Sequence, residues 1–220
     1  ALNFTGISAP ESGPPVALID ANDFLTGFVN DTGGTINLSG EAIYGIRTAG
    51  RYAVDSAHGF INRGSIHAEG LVSTAVAVSG SGYNSGTISS AVENGVALSL
   101  EGVSAQFVND TGGVIRGDRA VSMQYGASLT NRGTIVATGE NAAVSGYSTQ
   151  YYRAAKLINE GEIRAGAGAA VELYSEAPYG AQVANKGTIV GDVVLGGSGK
   201  DMLWLAEGSA VQGNVSTGNG

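Results

Sequence analysis

The sequence predicts an all-β chain wound as a right-handed parallel β-helix, a solenoid of about eight coils. Three observations predict it. A short Asn-containing motif recurs at solenoid spacing. Segments of alternating apolar and small polar residues follow it. Gly makes up 36 of 220 residues while aromatics are only 7%, which suits short strands of small and β-branched residues joined by tight turns.

The motif is Asn, then Gly, then Ile. Its Asn recurs at Asn30, Asn62, Asn84, Asn109, Asn131, Asn159 and Asn185, with spacings of 32, 22, 25, 22, 28 and 26. Ile36, Ile66, Ile88, Ile115, Ile135, Ile163 and Ile189 follow in the same order. Each unit carries a second apolar segment, such as Ala42–Ile46, Ala75–Val78, Val96–Leu100, Ala120–Met123, Ala142–Ser145 and Ala169–Leu173. The match between Val16…Phe28 and Val96…Phe107 carries the repeat back to Val16. Residues 1–15 are therefore expected to be a lead segment and 16–220 the β-helix, with terminal coils over 191–220. No unit shows a helical period or a leucine-rich consensus. Each unit must then be one coil, its strands pairing with the coils on either side at about 4.8 Å, for a rod of about 40 Å. The right-handed sense extends the rule for parallel crossovers.

Two features bear on stacking. Asn tolerates left-handed turns, and in-register copies of its amide can bond one another as a ladder. The residues after each Asn run Asp31, Arg63, Ser85, Asp110, Arg132, Glu160, Lys186, with signs −, +, 0, −, +, −, +. Stacked, these positions would mostly place opposite charges together.

A net charge of −8 argues against nucleic acid and anionic membrane as partners, because both need a basic footprint. The absence of Cys excludes disulfides and thiolate metal sites. No apolar run is long enough for a membrane-spanning helix, so no direct membrane insertion is expected. No signal peptide is visible at Ala1, and the chain reads as a mature or excised segment.

The Asn-x-Gly-Thr-Ile coils resemble the β-helical passenger domains of Gram-negative autotransporters. The tail from Gly191 to Val215, with its Gly-rich turn, Leu205, Gly208-Ser209 and Gly213-Asn214-Val215, is similar to the last coils of such passengers. The resemblance covers residues 16–220. It implies a cell-surface or secreted location and adhesin-like activity. The membrane barrel that defines the family is not in this sequence.

The strongest candidate site is aromatic. Tyr147 and Tyr174 occupy the same place after Val144 and Val171, so inward valines imply outward tyrosines. They lie beside the insertions 147–156, with Tyr151, Tyr152 and Arg153, and 174–181, with Tyr179. A third insertion, 47–59, holds Arg47, Arg51, Tyr52, Asp55 and His58. Long insertions collect on one face of a solenoid, often the binding face, and exposed aromatics stack on sugars or anchor protein partners. The competing reading is that these rings shield the insertions' own backbone.

Arg116-Gly117-Asp118 is a possible cell-adhesion tripeptide, but Gly before an acid recurs in other coils as ordinary turn chemistry. Gly196 to Trp204 matches a calcium nonapeptide, yet a single copy cannot supply six to eight oxygens, so a plain turn is expected, with Trp204 and Leu205 in the core. No metal or other cofactor is expected. His58 and His67 lack metal-ligand spacing, and Glu160, Glu162 and Glu172 are the acids to inspect for a carbohydrate-cleaving pair. The leading expectation is a surface that binds a host cell, glycan or extracellular protein. Self-association or a passive stalk is the alternative, and a β-helical carbohydrate-active enzyme the third.

Overall fold

Alternating apolar residues dictate strands with one inward face, and the inward faces meet only if the coils stack. The structure, a computed structural model, describes residues 2–5, 17–21, 27–48, 59–102, 105–149, 153–176, 178 and 180–218. It is a parallel β-helix, and the described residues contain strands and turns but no helix. The chain visits three sheets in rotation, and every pairing joins one coil to the next in parallel. Sheet 1 runs from Leu2–Thr5 to Ala210–Gln212 in nine strands. Sheet 2 runs from Ala17–Ala21 to Val215–Ser216 in nine. Sheet 3 runs from Phe28–Asn30 to Met202–Leu205 in eight. Within the expected lead segment, Leu2–Thr5 pairs with Ile36–Ser39 and begins sheet 1, so the first described strand of the solenoid precedes Val16.

Like residues stack on like residues. Ile36, Ile66, Ile88, Ile115, Ile135, Ile163 and Ile189 form one inward column of sheet 1, in direct register and buried. Ile46, Val76, Leu98, Val121, Val144, Val171 and Val193 form the matching column of sheet 2. Sheet 3 contributes rings at its first end, where Phe28 and Phe60 stack at 5.4 Å. Gly82 then leaves room for Phe107, whose ring carbon would lie 2.5 Å from a Cβ there, and Phe60 and Phe107 approach to 6.1 Å.

The asparagines end the sheet 3 strands and are buried. Each Nδ2 donates to the Oδ1 of the next: Asn30 to Asn62, Asn62 to Asn84, and so on to Asn159 to Asn185, all at 2.7–2.8 Å. The amides also bond local backbone, as where Asn131 Nδ2 donates to Glu162 O at 3.1 Å. A left-handed turn is not why Asn recurs. Among the described residues, only Asn94 and Tyr125 combine positive φ with a side chain. The ladder itself selects Asn.

The glycine of the motif has a different cause from conformational freedom. Gly133 and Gly161 have no positive φ, but a Cβ at Gly161 would sit on the carbonyl oxygen of Gly133, and one at Gly133 on that of Gly113. Close approach of stacked backbones excludes any side chain. In the longer Asn-Asp-Thr-Gly-Gly turns the first glycine does adopt positive φ, at 79° for Gly33 and 84° for Gly112.

The charge ladder forms as the order of signs predicts. Arg63 meets Asp31 at 3.6 Å, Arg132 meets both Asp110 at 3.5 Å and Glu160 at 3.1 Å, and Lys186 meets Glu160 at 2.8 Å. Near the neutral Ser85, the Tyr83 hydroxyl donates to Asp110 at 2.8 Å. Lys186 and then Arg132 hold the Glu160 carboxyl below its ordinary value. The Thr111 amide, then Tyr83, do the same for Asp110.

Trp204 and Leu205 are not core residues. Alternation turns Leu203 inward and Trp204 outward, and both Trp204 and Leu205 are about half exposed at 49% and 50%. Leu205 takes the ladder position opposite Asn185 and ends the amide column.

Replacing Asn131 by Ala leaves Asn109 Nδ2 and Asn159 Oδ1 without their ladder partners. The expected loss is about 2–4 kcal/mol, read by urea unfolding, with a smaller loss for Asn30→Ala at the ladder's end. Glu160→Gln tests the charge ladder. Lowered carboxyl values stabilise the fold above the unfolded carboxylate range, and the effect disappears as pH falls through the lowered folded-state value. The melting temperature of Glu160→Gln should therefore lie slightly below that of the unmodified chain at neutral pH and converge with it in acid. A partly exposed group of this kind contributes about 1 kcal/mol or less.

Candidate functional site

Strands Val144–Ser148 and Val171–Ser175 are adjacent in sheet 2, and their register places Tyr147 directly against Tyr174. Val144, Val171, Ser148 and Ser175 point inward and are buried, so alternation forces both tyrosines outward. The rings stack with centroids 6.2 Å apart and planes 20° apart, yet remain 49% and 51% exposed. The next position in that column is Gly196. A Cβ there would lie 3.0 Å from two Tyr174 ring carbons, so the ring rests against bare backbone. Tyr174 is thus held between Tyr147 and Gly196.

A third ring completes the edge. Tyr125 follows strand Arg119–Gln124 in a turn with Gly126, and its φ of 56° is unfavourable for an aromatic residue. Such strain persists where surrounding structure enforces it. Tyr125 and Tyr147 border an open groove of about 350 Å³ on the outer face of sheet 2, floored by Ser122 and Ser145 and flanked by Arg119, Gln124 and Glu172. Ser122, Ser145 and Glu172 are successive members of one outward column. Arg119 is steadied by Asn141, whose Oδ1 accepts from Nη2 at 2.9 Å. Beyond Tyr174 lies a second hollow of about 380 Å³, lined by Tyr174, Glu176, Gly197 and Ser198. Tyr174 is the ridge between the two.

Burial of its oxygen, then the nearby Glu176 carboxylate, push the Tyr147 hydroxyl above its ordinary value. Nearer the first coils, burial and then Glu101 do the same for Tyr44, over whose ring Arg47 sits at 5.4 Å. The face therefore offers hydroxyl donors, serine hydroxyls, an amide, one guanidinium and a carboxylate around apolar ring surface. This set suits binding of a hydroxyl-rich ligand by stacking and hydrogen bonds.

Other sequence candidates fall elsewhere. Tyr151, Tyr152, Tyr179, Arg51, Tyr52, Asp55 and His58 lie outside the described residues, and Arg47 belongs to strand Glu41–Thr48. Arg116-Gly117-Asp118 is not a loop tip. Arg116 and buried Gly117 end strand Val114–Gly117 of sheet 1. The Asp118 carboxylate accepts from the Asn94 amide at 2.6 Å and the Asn141 amide at 3.5 Å. Burial opposes its ionisation, but those amides and Arg119 hold its carboxyl below the ordinary value. Asp201 of the Gly-rich turn caps the Ala181 amide at 2.8 Å. Glu160 is paired in the charge ladder and Glu162 pairs with Arg164, leaving Glu172 as the inspected acid on the tyrosine face. His67 Nδ1 meets Ser89 Oγ at 3.0 Å on sheet 1.

Sequence reasoning missed Arg119, Ser122, Gln124, Tyr125 and Ser145. Only the serines had an available signal: aligning the second segments on their inward residues puts Ser122 and Ser145 in one outward column.

Gly196→Ala should displace the Tyr174 ring while leaving the coils intact. The expected outcome is a changed near-ultraviolet tyrosine dichroism with an unchanged far-ultraviolet spectrum.

Comparisons with family models, with curated proteins and with solved structures gave no match to this chain.

Proposed function

We propose that this chain is a binding rod of the autotransporter-passenger kind, displayed on or released from a Gram-negative cell surface. Its adhesive face is the outer surface of sheet 2, where it engages a glycan or glycan-bearing protein of a host cell or its matrix. The observation that carries this reading is the Tyr147–Tyr174 stack, half exposed and steadied from beneath by Gly196, at the edge of an open hydroxyl-rich groove. Large aromatic groups left in water at fixed positions on an acidic rod are anchors awaiting a partner. The location draws on the resemblance of the coils and tail.

The test is binding of the labelled chain to host cells, matrix proteins and a glycan panel, beside a Tyr147→Ala/Tyr174→Ala variant. Saturable binding weakened about tenfold or more in the variant is expected, a loss of about 1.4 kcal/mol or more. Equal binding by both folded proteins would remove this face from the account, and binding by neither would leave a stalk.

A further inference from the structure

The outward columns of the rod differ in charge. Sheet 1 turns out Arg116 and Arg164. Sheet 3 turns out the uncharged Val108, Thr130, Ile158 and Ala184 beside the charge ladder. The tyrosine end of sheet 2 carries carboxylates. Glu172 flanks the open groove of about 350 Å³ on one side of Tyr174, and Glu176 lines the hollow of about 380 Å³ on the other. Both acids are exposed, and among the described residues neither pairs with a cation.

The cation of the groove is committed elsewhere. Arg119 begins the strand that ends at Gln124, the register partner of Tyr147. At about 3.3 Å per residue it stands roughly 16 Å from the tyrosine edge. Its Nη2 donates to Asn141, and its charge helps to hold down the Asp118 carboxyl. In the second hollow, Glu176 is the one charged side chain among the described lining residues.

The chemistry repeats across the Tyr174 ridge. Each side offers ring surface, a carboxylate and serine hydroxyl: Glu172 with Ser122 and Ser145, then Glu176 with Ser198. Sugar hydroxyls and ring faces answer the serines and tyrosines, but a neutral sugar leaves both carboxylates without a counter-charge. An ammonium group supplies it. It bonds a carboxylate strongly and is drawn to an aromatic face. A set repeated on two sides of one ridge fits a ligand whose units repeat.

We infer that the tyrosine face takes a cationic amino-sugar oligomer, with one free ammonium at Glu172, another at Glu176, and Tyr174 between them. The inference rests on the glycan reading of this face and narrows it to one chemical class. The net charge of −8 acts in the same direction, attracting a polycation and disfavouring glycans that carry carboxylate or sulfate. N-acetylation of the ligand removes its charge and keeps its hydroxyls and ring faces, so it separates the two contributions.

Isothermal titration calorimetry of the full chain tests this with a glucosamine oligosaccharide and its fully N-acetylated counterpart of the same length. The amine form is expected to bind saturably and about tenfold tighter, and salt to erode the difference. Glu172→Gln and Glu176→Gln each cut the preference about threefold, the effect of losing one exposed ion pair. Glu207→Gln removes the same charge from the turn that follows Leu205, at the asparagine corner, and leaves the preference unchanged. Circular dichroism checks that each variant is folded. Equal affinity for the two forms overturns the inference and leaves the glycan reading intact. A preference that survives both glutamine changes on the tyrosine face, or falls as far with Glu207→Gln, marks general attraction to an acidic rod and overturns the site. Binding of neither form also overturns it, and the Tyr147→Ala/Tyr174→Ala comparison on the wider panel then decides the glycan reading separately.

Discussion

A buried primary amide must donate twice and accept, or the solenoid pays for it in unmet hydrogen bonds. Stacking the coils in register is what satisfies Asn62, Asn84, Asn109, Asn131 and Asn159, since each finds its donor and acceptor in the coils on either side. A one-residue slip would put an apolar side chain into this column and turn every inward isoleucine outward. The isoleucine columns supply cohesion, but apolar surfaces are nondirectional. The amide column fixes which coil residue lies over which. Every other in-register feature, from the ion pairs to the tyrosine stack, depends on that alignment.

Much of this was legible in the sequence because a solenoid converts sequence repeats directly into spatial neighbours. Asn131 and Asn159 are 28 residues apart and bonded; the same alignment placed Arg132 beside Glu160 and Tyr147 beside Tyr174. What the repeat did not reveal depends on direction and on edges. Asn was attributed partly to turn geometry, although close backbone stacking and the amide column set the corner. Trp204 and Leu205 were expected in the core of the final coils, whereas both are half exposed there and strand alternation turns Trp204 out. The groove beside the tyrosines was missed because Arg119, Tyr125 and Ser145 come from different coils and from a turn. Tyr125 in particular sits in a backbone conformation that no sequence preference favours.

The three outer faces of the rod differ in chemistry. A common inward lattice frees each outward column to vary without disturbing the fold, because side chains alternate strictly between the two sides. One face can therefore carry a ligand groove, another an apolar stripe beside alternating charges, and the third a polar surface. In the chain the longer insertions follow sheet 2 strands and not the asparagine corner, where stacked glycine backbones leave no space for side chains. The crowded corner is conserved within the chain from coil to coil, while the opposite corner is where coils differ in length.

The nearest-neighbour character of the amide column also bears on how the chain acquires its structure. Successive ladder partners lie 22 to 32 residues apart, and every strand pairing joins one coil to the next. Among the described residues no strand pairing must wait for the far end of the sequence. A finished coil presents open strand edges, a shelf of apolar side chains and an amide to whatever follows, so it acts as a template for the next. A polypeptide threaded end-first through a narrow passage could therefore fold progressively on the far side, and each added coil would oppose its return.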